Sequence, residues 1–323
     1  MAGSRLDAWK RSRRRNPDPM ARTDSDAAID EAIETLRSVA PRELERRGWH
    51  FQRADYYSPL NDLGFLEANP DLWTADDPCE AIDWNRAGQI ATARLVAGYV
   101  EELRDVPEEA VAGEPTRFHW NNNFWNGADA LAQYGLARAW KPQRWIEIGC
   151  GWSSLLLARA IAENGTSTEV VQIEPYPNPA LFSAVPKSWT QHQTILQRAP
   201  LELFDALGPG DVCFYDGSHC ARTASDVNWF FFRILPRLRP GVIVHLHDIF
   251  LPESYPKDWI FERGQTWNEQ YVLQAYLMHN RDVEILLANR WLFKHEHRLL
   301  DELYRGVQPP WGCSFWFRKV EPR

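Results

Sequence analysis

Hydrophobic and polar positions follow two regimes along this chain. Before residue 140, apolar residues recur at helical spacing inside polar sequence. The run from Ala28 to Leu36 predicts an amphipathic helix within 26–47, and further helices are expected over 86–103 and 128–140. Between them, residues 50–80 mix aromatics with Pro59, Pro70 and Pro78 and read as irregular loops. From Pro142 onward, short apolar runs alternate with longer amphipathic ones. Strands are predicted at 144–148, 169–174, 194–197, 211–215, 242–247, 283–287 and 314–319, with helices at 154–163, 222–235, 268–279 and 292–304. Alternation of this kind builds a parallel sheet through right-handed crossovers. The seventh strand, rich in Phe, Trp and charge, is expected to fold back as an antiparallel edge. No internal repeat or low-complexity tract is visible.

Composition narrows the picture. The chain has 323 residues, 44% of them hydrophobic and 25% charged, as in a globular protein with ample core. The formal charge of -8 argues against nucleic acid as a partner. No apolar run approaches the roughly 18 residues of a membrane span, so no membrane partner is expected. Five cysteines, with no Cys-x-x-Cys pair, fit a reducing cytoplasm. Arg11, Arg13, Arg14 and Arg15 open the chain without the apolar stretch of a secretory signal, so residues 1–25 read as a disordered arginine-rich lead. Sixteen tryptophans, several in polar segments, suit packing of irregular loops or a groove for a flat or sugar-like molecule.

The chemistry concentrates at Ile146-Glu147-Ile148-Gly149-Cys150-Gly151, where an apolar strand turns through two glycines into a helix. Glycines there permit positive φ and close backbone approach, and the helix aims its first amides over the turn. A dinucleotide fingerprint needs Gly-x-Gly-x-x-Gly, and position 154 is Ser. An acid two places before the first glycine repels a pyrophosphate and suits a cationic amino group. The second predicted strand ends in Gln172-Ile173-Glu174, an acid positioned to accept from a ribose diol.

With Phe214-Tyr215-Asp216-Gly217-Ser218-His219 added, residues 142–248 resemble a class I S-adenosylmethionine-dependent methyltransferase. The resemblance implies an α/β fold: a Rossmann-like, doubly wound, seven-stranded, mostly parallel sheet with an antiparallel last strand. Residues 26–140 would form a helical and irregular cap and residues 141–323 the methyltransferase domain. In that family the glycine turn binds the methionine part of the cofactor and the second-strand acid holds its ribose. Glu147, Gly149, Cys150, Gly151, Ser153, Glu174 and Asp216 are thereby candidate cofactor contacts.

Carboxyl ends of adjacent strands meet over the ligand crevice of an open α/β sheet. Asp216 and His219 after the fourth strand, and His247 and Asp248 after the fifth, are therefore expected to converge. His219 is the first choice of general base, with His247 and Asp248 as further catalytic candidates. Asp216, His247 and Asp248, with Glu269 as a weaker fourth, are candidate ligands of a divalent metal that orients a hydroxyl and lowers its pKa. This pairing resembles metal-dependent O-methyltransferases acting on antibiotic sugars, which carry Glu-Asp where this chain has His247-Asp248. A histidine ligand shifts the choice from Mg²⁺ toward Mn²⁺, Fe²⁺ or Zn²⁺, and equally leaves room for no metal. Tyr56-Tyr57-Ser58-Pro59 and Asn122-Asn123-Phe124-Trp125 are candidates for a lid or acceptor pocket, and the loop 247–256 is placed to cover the acceptor. The activity implied is O-methylation of a small molecule, a sugar or secondary metabolite. N-methylation, protein methylation and a cofactor-binding regulator without turnover are the alternatives, and homo-oligomerisation stays open.

Overall fold

The computed structural model describes residues 24–53 and 57–321. The expected disordered lead lies outside the described residues up to position 23, as does Tyr56. The chain divides at Ala68/Asn69 into two compact units. Within the first, helix α1 (Asp24–Ser38) is amphipathic and is followed by short helices at Pro41–Glu45 and Leu63–Ala68. The last of these lies inside the stretch expected to be irregular throughout.

The second unit is built on one seven-stranded sheet: β1 (Arg144–Ile148), β2 (Glu169–Ile173), β3 (Thr190–His192), β4 (Val212–Tyr215), β5 (Ile243–Leu246), β6 (Val283–Ala288) and β7 (Phe315–Lys319). The spatial order is β3-β2-β1-β4-β5-β7-β6, and only the pairings of β7 with β5 and β6 are antiparallel. β1, β4 and β5 are buried almost throughout, as both-face coverage of a parallel sheet demands. The helices that cover it include α2 (Arg86–Ala97), α3 (Gly127–Trp140), α4 (Trp152–Asn164), α5 (Glu269–Leu277) and α6 (Asn289–Tyr304). Trp145 and Trp316 are among the largest fully buried side chains, so tryptophan here builds core as well as loops.

Three expectations change. The third strand falls at Thr190–His192, and the apolar residues of 194–197 instead enter a 3₁₀ turn at Leu196–Arg198. β7 is not an edge; it inserts between β5 and β6, where Phe315, Trp316 and Phe317 are buried on both faces. The helix expected over 222–235 starts only at Asp226, capped by Ser225, and passes through a π-helical turn at Phe230–Ile234. Among the described residues, no helix is long and apolar enough to cross a membrane.

Candidate active site

The β1 turn is held from beneath by a buried acid. Glu147 has no exposed surface; Oε1 accepts from Ser153 Oγ at 2.8 Å, while Oε2 accepts from Ser154 Oγ at 2.6 Å and Gln172 Nε2 at 2.8 Å. Burial pushes its pKa up to about 7, against the three hydrogen bonds that pull it down. Ser154 Oγ in turn accepts from Gly151 N at 3.2 Å. Glu147 thus ties strand, turn and helix together and does not line the groove above, where a direct contact to an amino group had been expected.

The two glycines do different work. Gly149 has φ +84°, and a Cβ on it would sit 2.0 Å from the carbonyl oxygen of Asp216. Its close approach is therefore to the neighbouring strand end, which Asp216 N seals by donating to Ile148 O at 2.9 Å. Gly151 is the one that faces open space: a Cβ there meets nothing within 4 Å.

Above the turn lies a groove in two adjoining parts. One, about 450 Å³, is bounded by Gly149, Cys150, Gly151, Ser153, Glu174 and the Asp216–His247–Asp248 corner. The other, about 480 Å³, runs from Glu174 past Ile195 and Leu196 to Arg222. Glu174 borders both; Oε1 accepts from Tyr176 N at 2.7 Å and Oε2 from Cys150 N at 3.4 Å, which fixes the carboxylate at the groove floor.

The ends of β4 and β5 meet at the far wall. His219 Nδ1 lies 2.8 Å from Glu269 Oε2, and Nε2 lies 3.2 Å from Asp216 Oδ1 and 3.6 Å from Asp248 Oδ2. Burial alone would lower the His219 pKa, but the hydrogen bonds and charges of Asp216 and Glu269 outweigh it and push it well above the ordinary value. Burial raises Asp216 likewise, and the two histidines more than reverse that. His247 Nδ1 lies 3.7 Å from Oδ2 of Asp216 and 3.7 Å from Oδ2 of Asp248. That nitrogen is buried and has no hydrogen-bond partner. His219 and Asp248 both hold positive φ, +57° and +58°, which costs a non-glycine residue about 1–2 kcal/mol.

Asp216, His247 and Asp248 offer ligand atoms within 4.8 Å of one another, as do Asp129, His247 and Cys313. Glu269 belongs to neither group: it stands behind His219, its 2.8 Å contact orienting the imidazole. Formally, four carboxylates (Asp129, Asp216, Asp248, Glu269) face two imidazoles.

Aromatic side chains wall the groove. Trp267 packs at a tilt against His219, 4.1 Å between centroids, and Trp125 against His247 at 4.4 Å. Phe124, Trp152 and Tyr176 complete the rim. Asn122 shapes this wall: its Oδ1 accepts from Phe124 N and Trp125 N, and its Nδ2 donates to His119 O and Trp125 O. Of the loop 247–256 expected to cover the acceptor, His247 and Asp248 line the groove, and residues 249–256 do not. Leu251 and Tyr255 are buried, and Gln270 ties the loop to α5 through Phe250 N and Glu253 O. His245 also turns away, hydrogen-bonded to Ser314 and stacked on Trp316 at 3.6 Å. Sequence reading missed Asp129, Asn289 and Cys313. Asp129 left one signal, a lone acid in the apolar helix run Ala128–Leu131.

Residues 146–249 match the model of a family described as a methyltransferase domain. Over this segment the chain is similar to a methyltransferase domain. The segment spans β1 to the end of β5 and so contains both the glycine turn and the histidine–aspartate corner. An uncharacterized protein of Archaeoglobus fulgidus is 27% identical over 132 residues, which cover 40% of this chain and 59% of that protein. The chain therefore spans about three fifths of that relative's length. Among solved structures, the SAH-bound Podospora anserina methyltransferase PaMTH1 is 14% identical, with a TM-score of 0.41, 84% of this chain and 100% of that one covered. The plantazolicin methyltransferase BpumL, in complex with a desmethyl analogue and SAH, is 10% identical, with a TM-score of 0.38 and coverages of 74% and 100%. The CmcI-D160 structure, with Mg and SAM, is 16% identical, with a TM-score of 0.33 and coverages of 81% and 100%.

Proposed function

We propose that this segment is a methyltransferase domain that uses S-adenosylmethionine to methylate a hydroxyl group of an uncharged small molecule, with a divalent metal at Asp216, His247 and Asp248. The observation that carries the reading is the convergence of those three residues and His219 on one wall of a groove whose floor is the Gly149–Gly151 turn and Glu174.

The residues present fit the cofactor. Gly151 leaves open space above the turn, Glu174 presents a carboxylate to a diol, and Ile195 and Leu196 give the second part of the groove apolar walls for a planar base. S-adenosylmethionine, when bound, supplies an electrophilic methyl group. The residues fit a cation as well, because the buried, unpartnered Nδ1 of His247 is aimed between two carboxylate oxygens. Metal bonds of about 2.0–2.2 Å put neighbouring ligand atoms about 3–3.5 Å apart, so the 3.7 Å edges need contract only slightly. The nitrogen ligand favours Mn²⁺, Fe²⁺ or Zn²⁺ over Mg²⁺. Such an ion supplies a Lewis acid that lowers the pKa of a coordinated hydroxyl.

The chain's own groups then divide the labour. Phe124, Trp125, Trp152, Tyr176 and Trp267 offer flat apolar surface against which an acceptor is aligned in line with the donor. Among the described residues lining this part of the groove, none is Lys or Arg, which supports an uncharged acceptor. His219 keeps Glu269 at Nδ1 and presents Nε2 to the groove. The hydrogen bonds and charges of Asp216 and Glu269 push its pKa up. Asp216 and Asp248 would serve as ligands of the ion, and Nε2 of His219 would accept the hydroxyl proton. We also place the working boundary of the catalytic part at residue 141, with Trp125 and Asp129 reaching into it from the preceding segment.

The test is calorimetric titration with S-adenosylhomocysteine, followed by transfer of labelled methyl to a panel of neutral hydroxyl acceptors with Mn²⁺ or with chelator. We expect binding that Glu174→Ala weakens by about 1–3 kcal/mol, the worth of hydrogen bonds to a charged group. Transfer should require the metal. A chain that binds neither the donor nor its demethylated product would overturn the reading.

A further inference from the structure

Asp129 lies in the first turn of α3, outside the segment that matches the methyltransferase family, and is buried. Its Oδ1 accepts from Ser314 N at 2.7 Å, Asn289 Nδ2 at 2.8 Å and Cys313 N at 2.9 Å. Its Oδ2 accepts from Cys313 N at 2.9 Å and stands 3.3 Å from His247 Nε2. Donors from two separate segments thus fix the plane of this carboxylate. Gly312 completes the enclosure: a Cβ there would come within 2.4 Å of Asp129 Oδ1 and 3.0 Å of Asn289 Nδ2.

A carboxylate facing Nε2 keeps the ring hydrogen on Nε2, and in a neutral imidazole the lone pair is then on Nδ1. Nδ1 is the nitrogen that is buried, without a partner, and midway between Asp216 and Asp248. We infer that Asp129 is a positioning residue: it locks His247 as the Nε2–H tautomer and so presents Nδ1 as the nitrogen ligand of a divalent transition-metal ion. This rests on the metal reading proposed above and adds to it a residue from outside the matched domain. The opposite arrangement, an ion on Nε2 with Asp129 and Cys313, has ligand atoms close enough. There, however, Asp129 already accepts from its backbone and amide donors, whereas Nδ1 has no hydrogen-bond partner.

The test is Mn²⁺ binding to the full chain, followed by electron paramagnetic resonance, with and without Asp129→Asn. Three donors at Oδ1 keep the amide oxygen of the variant where the carboxylate oxygen was, so its NH₂ faces Nε2 and drives the ring hydrogen to Nδ1. We expect Mn²⁺ affinity to fall about 10–100-fold, as for other losses of the group behind a ligating histidine, with S-adenosylhomocysteine affinity unchanged. Should the variant not fold, nitrogen-15 histidine spectra of the unsubstituted chain decide. Zn²⁺ should shift Nδ1 of His247 and leave the hydrogen on Nε2. Equal Mn²⁺ affinity in the folded variant, or a Zn²⁺ shift at Nε2 in place of Nδ1, overturns the inference and leaves the metal reading standing. Failure of the unsubstituted chain to bind either ion overturns the metal reading itself, and this inference with it.

Discussion

Two polar clusters sit a few residues from one another in this fold and are built on opposite principles. Under the β1 turn, both oxygens of Glu147 are engaged by Ser153, Ser154 and Gln172. At the ends of β4 and β5, carboxylates outnumber imidazoles, and a buried ring nitrogen of His247 is left without a hydrogen bond. A satisfied buried network rigidifies, whereas an unsatisfied one is costly unless something else completes it. The contrast separates the part of the site that holds its shape unaided from the part whose chemistry is completed by what binds there.

The largest expected effect falls on the second cluster. His219→Ala should reduce methyl transfer about 10²–10⁴-fold, the span of a positioned base, while calorimetric affinity for S-adenosylhomocysteine is retained. Equal loss of binding would mean that His219 shapes the groove instead. Next, the two glycines should part company. Gly149→Val must push against the Asp216 backbone at a positive φ, so chemical denaturation should show a loss of about 3 kcal/mol or more. Gly151→Val fills only the groove, so it should abolish cofactor binding with stability nearly unchanged. Identical behaviour of the two variants would break the division between scaffold and cradle. The smallest effect is electrostatic. The Glu147 pKa is raised from 4.5 to about 7 by burial, so its contribution to stability is fully present below about pH 4.5 and is lost as pH rises through 7. Glu147→Gln should remove that decline, seen as a flatter dependence of unfolding free energy on pH between those values.

Much of this was legible in the chain itself. Apolar runs bounded by turn residues placed six of the seven strands, because a strand buried on both faces is mostly apolar along its length. The third was misplaced because Thr190–His192 is short, polar and exposed, while Ile195 and Leu196 are apolar in order to wall the groove. Asp216, His219, His247 and Asp248 could be grouped in advance, since parallel strands deliver their carboxyl ends to one edge. Glu269 could be added as a weaker candidate, but not its place behind His219, 50 residues away. Asp129 behind His247 could not be found at all, because it lies 118 residues away and no local pattern connects them.

The sequence by itself determined the alternation of strand and helix, the glycine turn and the chemical types available at the strand ends, because these follow from periodicity and from steric limits within a few residues. Tertiary structure alone decided which acid is satisfied and which faces open space. It also decided which nitrogen of His247 is left unpaired and which glycine leaves room above the turn. Burial and hydrogen-bond completion depend on distant segments arriving at the same point, and only the folded chain brings them there.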